Sequence, residues 1–308
     1  MRSADDTDAD GRRAFPPPIV DAAWLRDQIT RPDDTGPARW GDLEVVVCDV
    51  RTTMTGPDPQ AAFDDNHVAG AHLIVLEDDL SAPAAAVDGR HPLPSPDAFA
   101  AALEVRGVGD DHFVLAIDGR GGAYAARLVW MLRLIGQPGA YADVTADELV
   151  ELVQRWELSE PTSPRDALPA GSRRIVAWPA GAIADADDVV AHVAAGGVVV
   201  DSRDAARYRG EVEPIDAVAG HIPGAINLPF THNLGPDGRF RPAGELAVRF
   251  AEAGVDDAAI VYCGSGVTAC HNALAVELAD GGRPAVYVGS WSGWSTEPGR
   301  AVATGADP

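Results

Sequence analysis

Val261-Tyr262-Cys263-Gly264-Ser265-Gly266-Val267-Thr268-Ala269-Cys270-His271-Asn272-Ala273-Leu274 places a thiol between an apolar strand-like run and a helix-like one. Ala259 to Tyr262 has the composition of a buried strand, and Val267 to Ala279 has the length and propensity of a helix. Strand, tight turn and helix in that order are the repeating unit of a largely parallel α/β sheet. In such sheets ligands gather at the carboxyl ends of the strands, where Cys263 stands. Gly264 and Gly266 let the turn adopt conformations in which backbone N–H groups converge on an anion. The N-terminus of the following helix adds its partial positive charge. Amide dipoles of this kind favour a thiolate, the nucleophilic form of cysteine. Cys263 is therefore the candidate nucleophile. The backbone of Gly264, Gly266, Val267 and Thr268 is the candidate cradle for its anionic sulfur or substrate. Cys48, inside a strand, and Cys270, seven residues after Cys263 in the helix-like run, read as buried structural cysteines.

The rest of the chain limits what that thiol can do. Acidic residues outnumber basic ones 47 to 24 across 308 residues, for a formal net charge of −23. Such a surface repels nucleic acid and anionic lipid, so neither is an expected partner. An anion site must therefore make its own local positive potential, which salt screening permits over about 8 Å. Every basic residue is arginine, and the absence of lysine excludes Schiff-base chemistry and a Walker A phosphate loop. Three cysteines without a CxxC pair argue against a disulfide framework or a metal cluster, and no metal or organic cofactor is implied. The polar, acidic start Met1-Arg2-Ser3-Ala4-Asp5-Asp6 lacks an apolar leader, and no apolar run reaches the roughly 18 residues of a membrane span. A cytoplasmic protein is expected.

One pattern occurs twice. Val45-Val46-Val47-Cys48-Asp49-Val50-Arg51 answers to Val198-Val199-Val200-Asp201-Ser202-Arg203. His67-Val68-Ala69-Gly70-Ala71 answers to His221-Ile222-Pro223-Gly224-Ala225, and Val114-Leu115-Ala116-Ile117-Asp118-Gly119 answers to Ala259-Ile260-Val261-Tyr262-Cys263-Gly264. A repeat distance of roughly 150 residues is too long for a solenoid unit and right for a duplicated domain. The expected organisation is a disordered extension over 1–14, a first domain over 15–157, a linker over 158–174 and a second domain over 175–308. The linker contains the proline-broken stretch Ser159 to Asp166.

The two halves resemble tandem rhodanese domains, and Cys263-Gly264-Ser265-Gly266-Val267-Thr268-Ala269 is similar to the active loop of the 3-mercaptopyruvate sulfurtransferase type. The resemblance implies two rhodanese-like domains, each a mainly parallel five-stranded sheet flanked by helices. It implies a second domain that is catalytic and a first that is not, since Asp118 stands where the thiol would be. Rhodanese-like phosphatases close a longer loop on an arginine; Ala269 stands there instead. The implied reaction moves sulfane sulfur from 3-mercaptopyruvate through a Cys263 persulfide to a thiol acceptor such as thioredoxin, or to cyanide, and releases pyruvate. Arg203 matches the family's substrate-binding arginine, with Arg207 and Arg209 as further candidates for holding a small anionic donor. A Ser-His-Asp relay for the donor's thiol proton maps onto Ser265, His67 and Asp58. Two alternatives stand beside this reading. One is a thiosulfate:cyanide sulfurtransferase, disfavoured by Gly264 and Ser265 where such enzymes carry basic side chains. The other is a non-catalytic sulfur-carrier or docking module.

Overall fold

The computed structural model describes residues 15–31, 36–158 and 167–308. The extension expected over 1–14 and the stretch Ser159 to Asp166 lie outside the described residues. The chain folds into two compact units: one comprises the chain up to Leu80 and then Pro94–Ala177, the other Ser81–Leu93 and Trp178–Pro308.

The first unit is built on a six-stranded sheet of β1 (Ile19–Val20), β2 (Arg39–Trp40), β3 (Leu43–Arg51), β4 (Ala71–Val75), β5 (His112–Ile117) and β6 (Gly139–Ala142). The order runs β1-β6-β5-β3, and β3 is long enough to pair twice on its other side. Its start pairs antiparallel with β2 through Leu43 and Glu44, and Val47 to Arg51 pair parallel with β4. The second unit carries β7 (Ile183–Ala184), β8 (Val199–Asp201), β9 (Ala225–Asn227), β10 (Ile260–Tyr262) and β11 (Ala285–Tyr287), all parallel, in the order β7-β11-β10-β8-β9. Apart from β2 the two sheets share one strand order. Five mainly parallel strands describe the second unit, and the first adds a short antiparallel edge.

The strands are apolar on both faces because helices cover both. Val45, Val47, Phe113 and Leu115 are buried in the first core with Trp24, Trp40, Leu152 and Trp156. The helix Ala146–Trp156 shows why its sequence folds that way. Thr145 and Glu148 form a capping box, and Leu149, Leu152, Val153 and Trp156 fall on one face at spacings of three and four. In the second core Val189, Val199, Ile222, Ile260 and Tyr262 pack with Trp291 and Trp294. The helices that follow the two central strands, Ala125–Leu134 after β5 and Thr268–Leu278 after β10, are buried along most of their length.

Two boundaries differ from the sequence expectation. The described part of the expected linker belongs to the first unit, because the Glu104 carboxylate accepts from the amides of Gly171 and Arg173 at 3.0 and 2.8 Å. Arg173 in turn donates to the Val108 carbonyl. Ser81–Leu93, read as part of the first domain, packs as part of the second unit. No helix among the described residues is long and apolar enough to cross a membrane, and no cluster of His, Cys, Asp or Glu among them has the makings of a metal site.

Candidate active site

Cys263 follows β10 directly and its side chain is 1% exposed. The backbone N–H of Gly266 donates to its Sγ at 3.1 Å, and the helix Thr268–Leu278 begins two residues later. Gly266 has φ +75°, and a Cβ there would press on the carbonyl of Val288 at 2.5 Å, so the turn that aims this amide at sulfur requires glycine. Val267 is buried at the helix N-cap position and Thr268 opens the helix.

The turn after β11 fixes the loop from behind. Ser290, at φ +52°, accepts from the Cys263 amide at 3.1 Å and donates to the Tyr287 carbonyl at 2.9 Å. Trp291 N–H donates to the Cys263 carbonyl at 3.0 Å and Ser292 N–H to the Gly264 carbonyl at 2.9 Å. Trp291 and Trp294 are core residues, and their indole N–H groups donate to the carbonyls of Val218 and Ala301.

Ser81–Leu93 docks on the same turn. The amide of Arg90 donates to Ser292 Oγ at 3.0 Å, and Gly89, at φ +81°, passes too close to the Gly289 carbonyl for any side chain. This anchoring carries His91 onto the loop: its Nδ1 lies 2.8 Å from Ser265 Oγ, with the two residues 4% and 6% exposed. Ser265 therefore has a histidine partner, and it is His91. Sequence reading missed it because 174 residues separate the two; the only local signal is a Gly-Arg-His tripeptide in a proline-rich stretch.

For His67 and Asp58 the structure shows contacts within the first unit. His67 sits in the first unit, bonding the Phe63 carbonyl through Nδ1 at 2.7 Å and stacking on the Phe63 ring. Its repeat counterpart His221 bonds the Tyr208 carbonyl and stacks on Tyr208 in the same manner. Each histidine braces the chain before a parallel strand of its own unit. Asp58 is exposed and caps the helix Pro59–Asp65 by accepting from the Ala61 amide.

The arginine candidates separate cleanly. Arg203 is buried and already paired: its Nε and Nη2 grip Asp201, Nη2 also donates to the Gly220 carbonyl, and Nη1 reaches Glu213. Burial alone would ease its proton off, but Asp201 outweighs that and holds it firmly charged. Its guanidinium is thus engaged by Asp201, Glu213 and the Gly220 carbonyl. Arg209 gives both donors of its Nε/Nη2 edge to exposed Glu211, away from the loop. Arg207 does face the loop: a Cβ built on Gly264 would lie 3.6 Å from its Nη1, while its Nε and Nη2 bond Glu213. Sequence reading missed the nearest guanidinium, Arg90, whose Nη2 is 3.0 Å from that same point. Asp216 bonds both, Arg90 through one oxygen and Arg207 through the other. Burial, with Glu213 beside it, outweighs the two guanidiniums and keeps Asp216 above the usual aspartate range.

The remaining cysteines are buried. Cys270 is buried, with its Sγ on the Gly266 carbonyl at 3.3 Å, and burial beside Asp49 and Asp79 pushes the Cys48 thiol far up. In the first unit a cavity of about 970 Å³ opens around Arg51, His67, Asp118 and Tyr124. It is roomy, but its loop presents a carboxylate instead of a thiol, so volume does not assign the chemistry.

The rhodanese-like domain family matches residues 185–297. A Pseudomonas aeruginosa protein named for 3-mercaptopyruvate sulfur transfer is 41% identical over 87% of this chain and 95% of its own length. A Mycobacterium tuberculosis protein named for thiosulfate sulfur transfer is 38% identical over 90% and 96%. Among solved structures, the 3-mercaptopyruvate enzyme of Escherichia coli superposes with a TM-score of 0.67 at 28% identity, covering 89% of this chain and 98% of that one. The chain belongs to the rhodanese family, of the 3-mercaptopyruvate sulfurtransferase type.

Proposed function

We propose that the chain takes sulfane sulfur from 3-mercaptopyruvate onto Cys263 and passes it to a thiol acceptor of the thioredoxin class, or to cyanide, releasing pyruvate. The Cys263 thiolate attacks the donor's sulfur, and an S–S bond forms as the S–C3 bond breaks. The electron pair goes to C3 as an enolate, and the donor's thiol proton moves to that carbon, leaving pyruvate and a cysteine persulfide anion. The observation that carries this reading is the Ser265–His91 pair, a buried proton-transfer couple two residues from the nucleophile. The Gly266 amide, directed at sulfur, supports the thiolate before the step and the persulfide after it, as oriented donors support a developing oxyanion. Neither needs a metal. The acceptor then attacks the outer sulfur and regenerates the Cys263 thiolate.

Thiosulfate is the second reading. The loop itself lacks basic side chains, yet Arg90 and Arg207 bring guanidiniums beside Gly264 from elsewhere in the chain, and the mycobacterial relative is named for that donor. Intact mass after incubation with each donor separates the readings. A gain of one sulfur atom on Cys263 with pyruvate release supports the first. A gain from thiosulfate alone moves the assignment to the second, and no gain from either leaves a non-catalytic module.

A further inference from the structure

Arg90 and Arg207 stand beside Gly264, and of these two with Arg203 and Arg209, three use the same edge. Arg203 presents Nε and Nη2 to Asp201, Arg207 to Glu213, and Arg209 to Glu211. This side-on fork is the geometry in which a guanidinium binds a carboxylate bidentately. Arg90 differs. Its Nη1 is held by Asp216, its backbone by Ser292, and no described residue accepts from its Nε or Nη2. The Nε is fully buried without a partner, which is costly for a charged donor unless something else accepts from it. The unpartnered edge lies against Gly264, the residue after the nucleophile, with Nη2 3.0 Å from where a Cβ would be. Arg207 Nη1 stands 3.6 Å from the same point.

We propose that Arg90 is a donor-binding residue: its Nε/Nη2 fork grips the carboxylate of the sulfur donor beside Gly264, with Arg207 Nη1 as a second contact. Asp216 keeps the two guanidiniums in register by bonding both. Glycine at 264 follows from the same arrangement, since a side chain there would occupy the space in front of Arg90. The proposal rests on the reading of the donor as a small carboxylate. It gives Ser81–Leu93 a second task, because the segment that supplies His91 to Ser265 also sets which donors the loop accepts.

The test compares wild type, Arg90→Gln, Arg90→Lys and Arg209→Gln by steady-state release of pyruvate from 3-mercaptopyruvate. In parallel, Cys263 is loaded with inorganic polysulfide, which has no carboxylate, and discharged to cyanide. Loss of a charge-assisted bidentate contact should raise KM for 3-mercaptopyruvate about 10- to 100-fold in Arg90→Gln, with kcat changed far less. Arg90→Lys retains the charge facing Asp216 but lacks the fork, so its KM should also rise. Polysulfide loading and discharge should match wild type in both, which shows that the loop is folded, and Arg209→Gln should keep the wild-type KM. An active wild type with an unchanged KM in Arg90→Gln or in Arg90→Lys overturns the proposal. A wild type that loads from polysulfide but never releases pyruvate overturns the functional reading instead.

Discussion

Asp118 and Cys263 end the same central strand of the same strand order, and each is followed by a turn and a buried helix. The first loop has filled itself. The Asp118 carboxylate accepts from the amides of Arg120 and Gly122 through one oxygen and of Tyr124 and Ala125 through the other, all at 2.8–2.9 Å. In the second loop the Gly266 amide points at a sulfur atom instead, and a serine–histidine pair and two guanidiniums stand around it. A strand-to-helix turn thus makes an anion cradle in both units, and the occupant decides what becomes of it. A fixed carboxylate turns it into a structural cap. A thiol turns it into a reaction site only where proton-transfer and substrate-binding groups also converge.

The sharpest way to break that comparison is to exchange the occupants. Cys263→Ser should lower pyruvate release at least about 1,000-fold. Adding Asp118→Cys to that variant should not restore release, because Arg120 stands two residues after Asp118 where Ser265 follows Cys263. Recovery of turnover, with sulfur mapped to position 118 by peptide mass, would mean that the cradle alone suffices. Next in size is the contrast between histidines. His91→Ala should cut kcat/KM for 3-mercaptopyruvate about 100-fold or more. His67→Ala should cost only about 1 kcal/mol of stability, through its lost bond to the Phe63 carbonyl, with kcat/KM close to wild type. The reverse ranking would return the relay to the first unit. Asp118→Ala leaves four amides without their acceptor and should destabilise the protein by about 2 kcal/mol in thermal or urea melts, with Cys263 still loading sulfur at 25 °C. A neutral effect on the melts would show that the first cradle needs no anion.

The smallest effect concerns pH. Burial alone would raise Glu213, but Arg207 and the amides of Asp216 and Ile215 outweigh it and hold the carboxyl below the usual glutamate range. A lowered folded-state value means that the stabilisation is complete above the unfolded glutamate value of about 4.3 and is lost as pH falls through the lowered one. Glu213→Gln should therefore lower the melting temperature near neutrality, with the gap to wild type narrowing and the variant's acid limb flatter as pH falls below about 4.3. An unchanged acid limb would remove Glu213 from the arginine cluster's electrostatics.

Features carried by neighbouring residues were legible in the chain itself. The apolar runs around Val45–Val47 and Ile260–Tyr262 gave two parallel sheets, and the Gly-Ser-Gly turn singled out Cys263, because strand burial and glycine turns are imposed over a few residues. Arg203 stood in the matching motif, yet nothing local says that Asp201, two residues away, takes its fork. His67 illustrates the same limit. Its motif repeats at His221, and what repeats is a ring nitrogen bonded to a backbone carbonyl and a ring stacked on an aromatic neighbour.

The sequence by itself determined the duplicated α/β architecture, the reactive thiol with its glycine turn, and the absence of a thiol from the first loop. These depend on periodicity and on residue type within one turn of chain. Only the tertiary structure decided which histidine meets Ser265, which arginines face Gly264, and that Ser81–Leu93 belongs with the second unit. The physical reason is that a side chain's partner is set by where distant backbone segments dock. Here that docking turns on the Arg90 amide meeting Ser292 Oγ, 202 residues away, a contact no local pattern encodes.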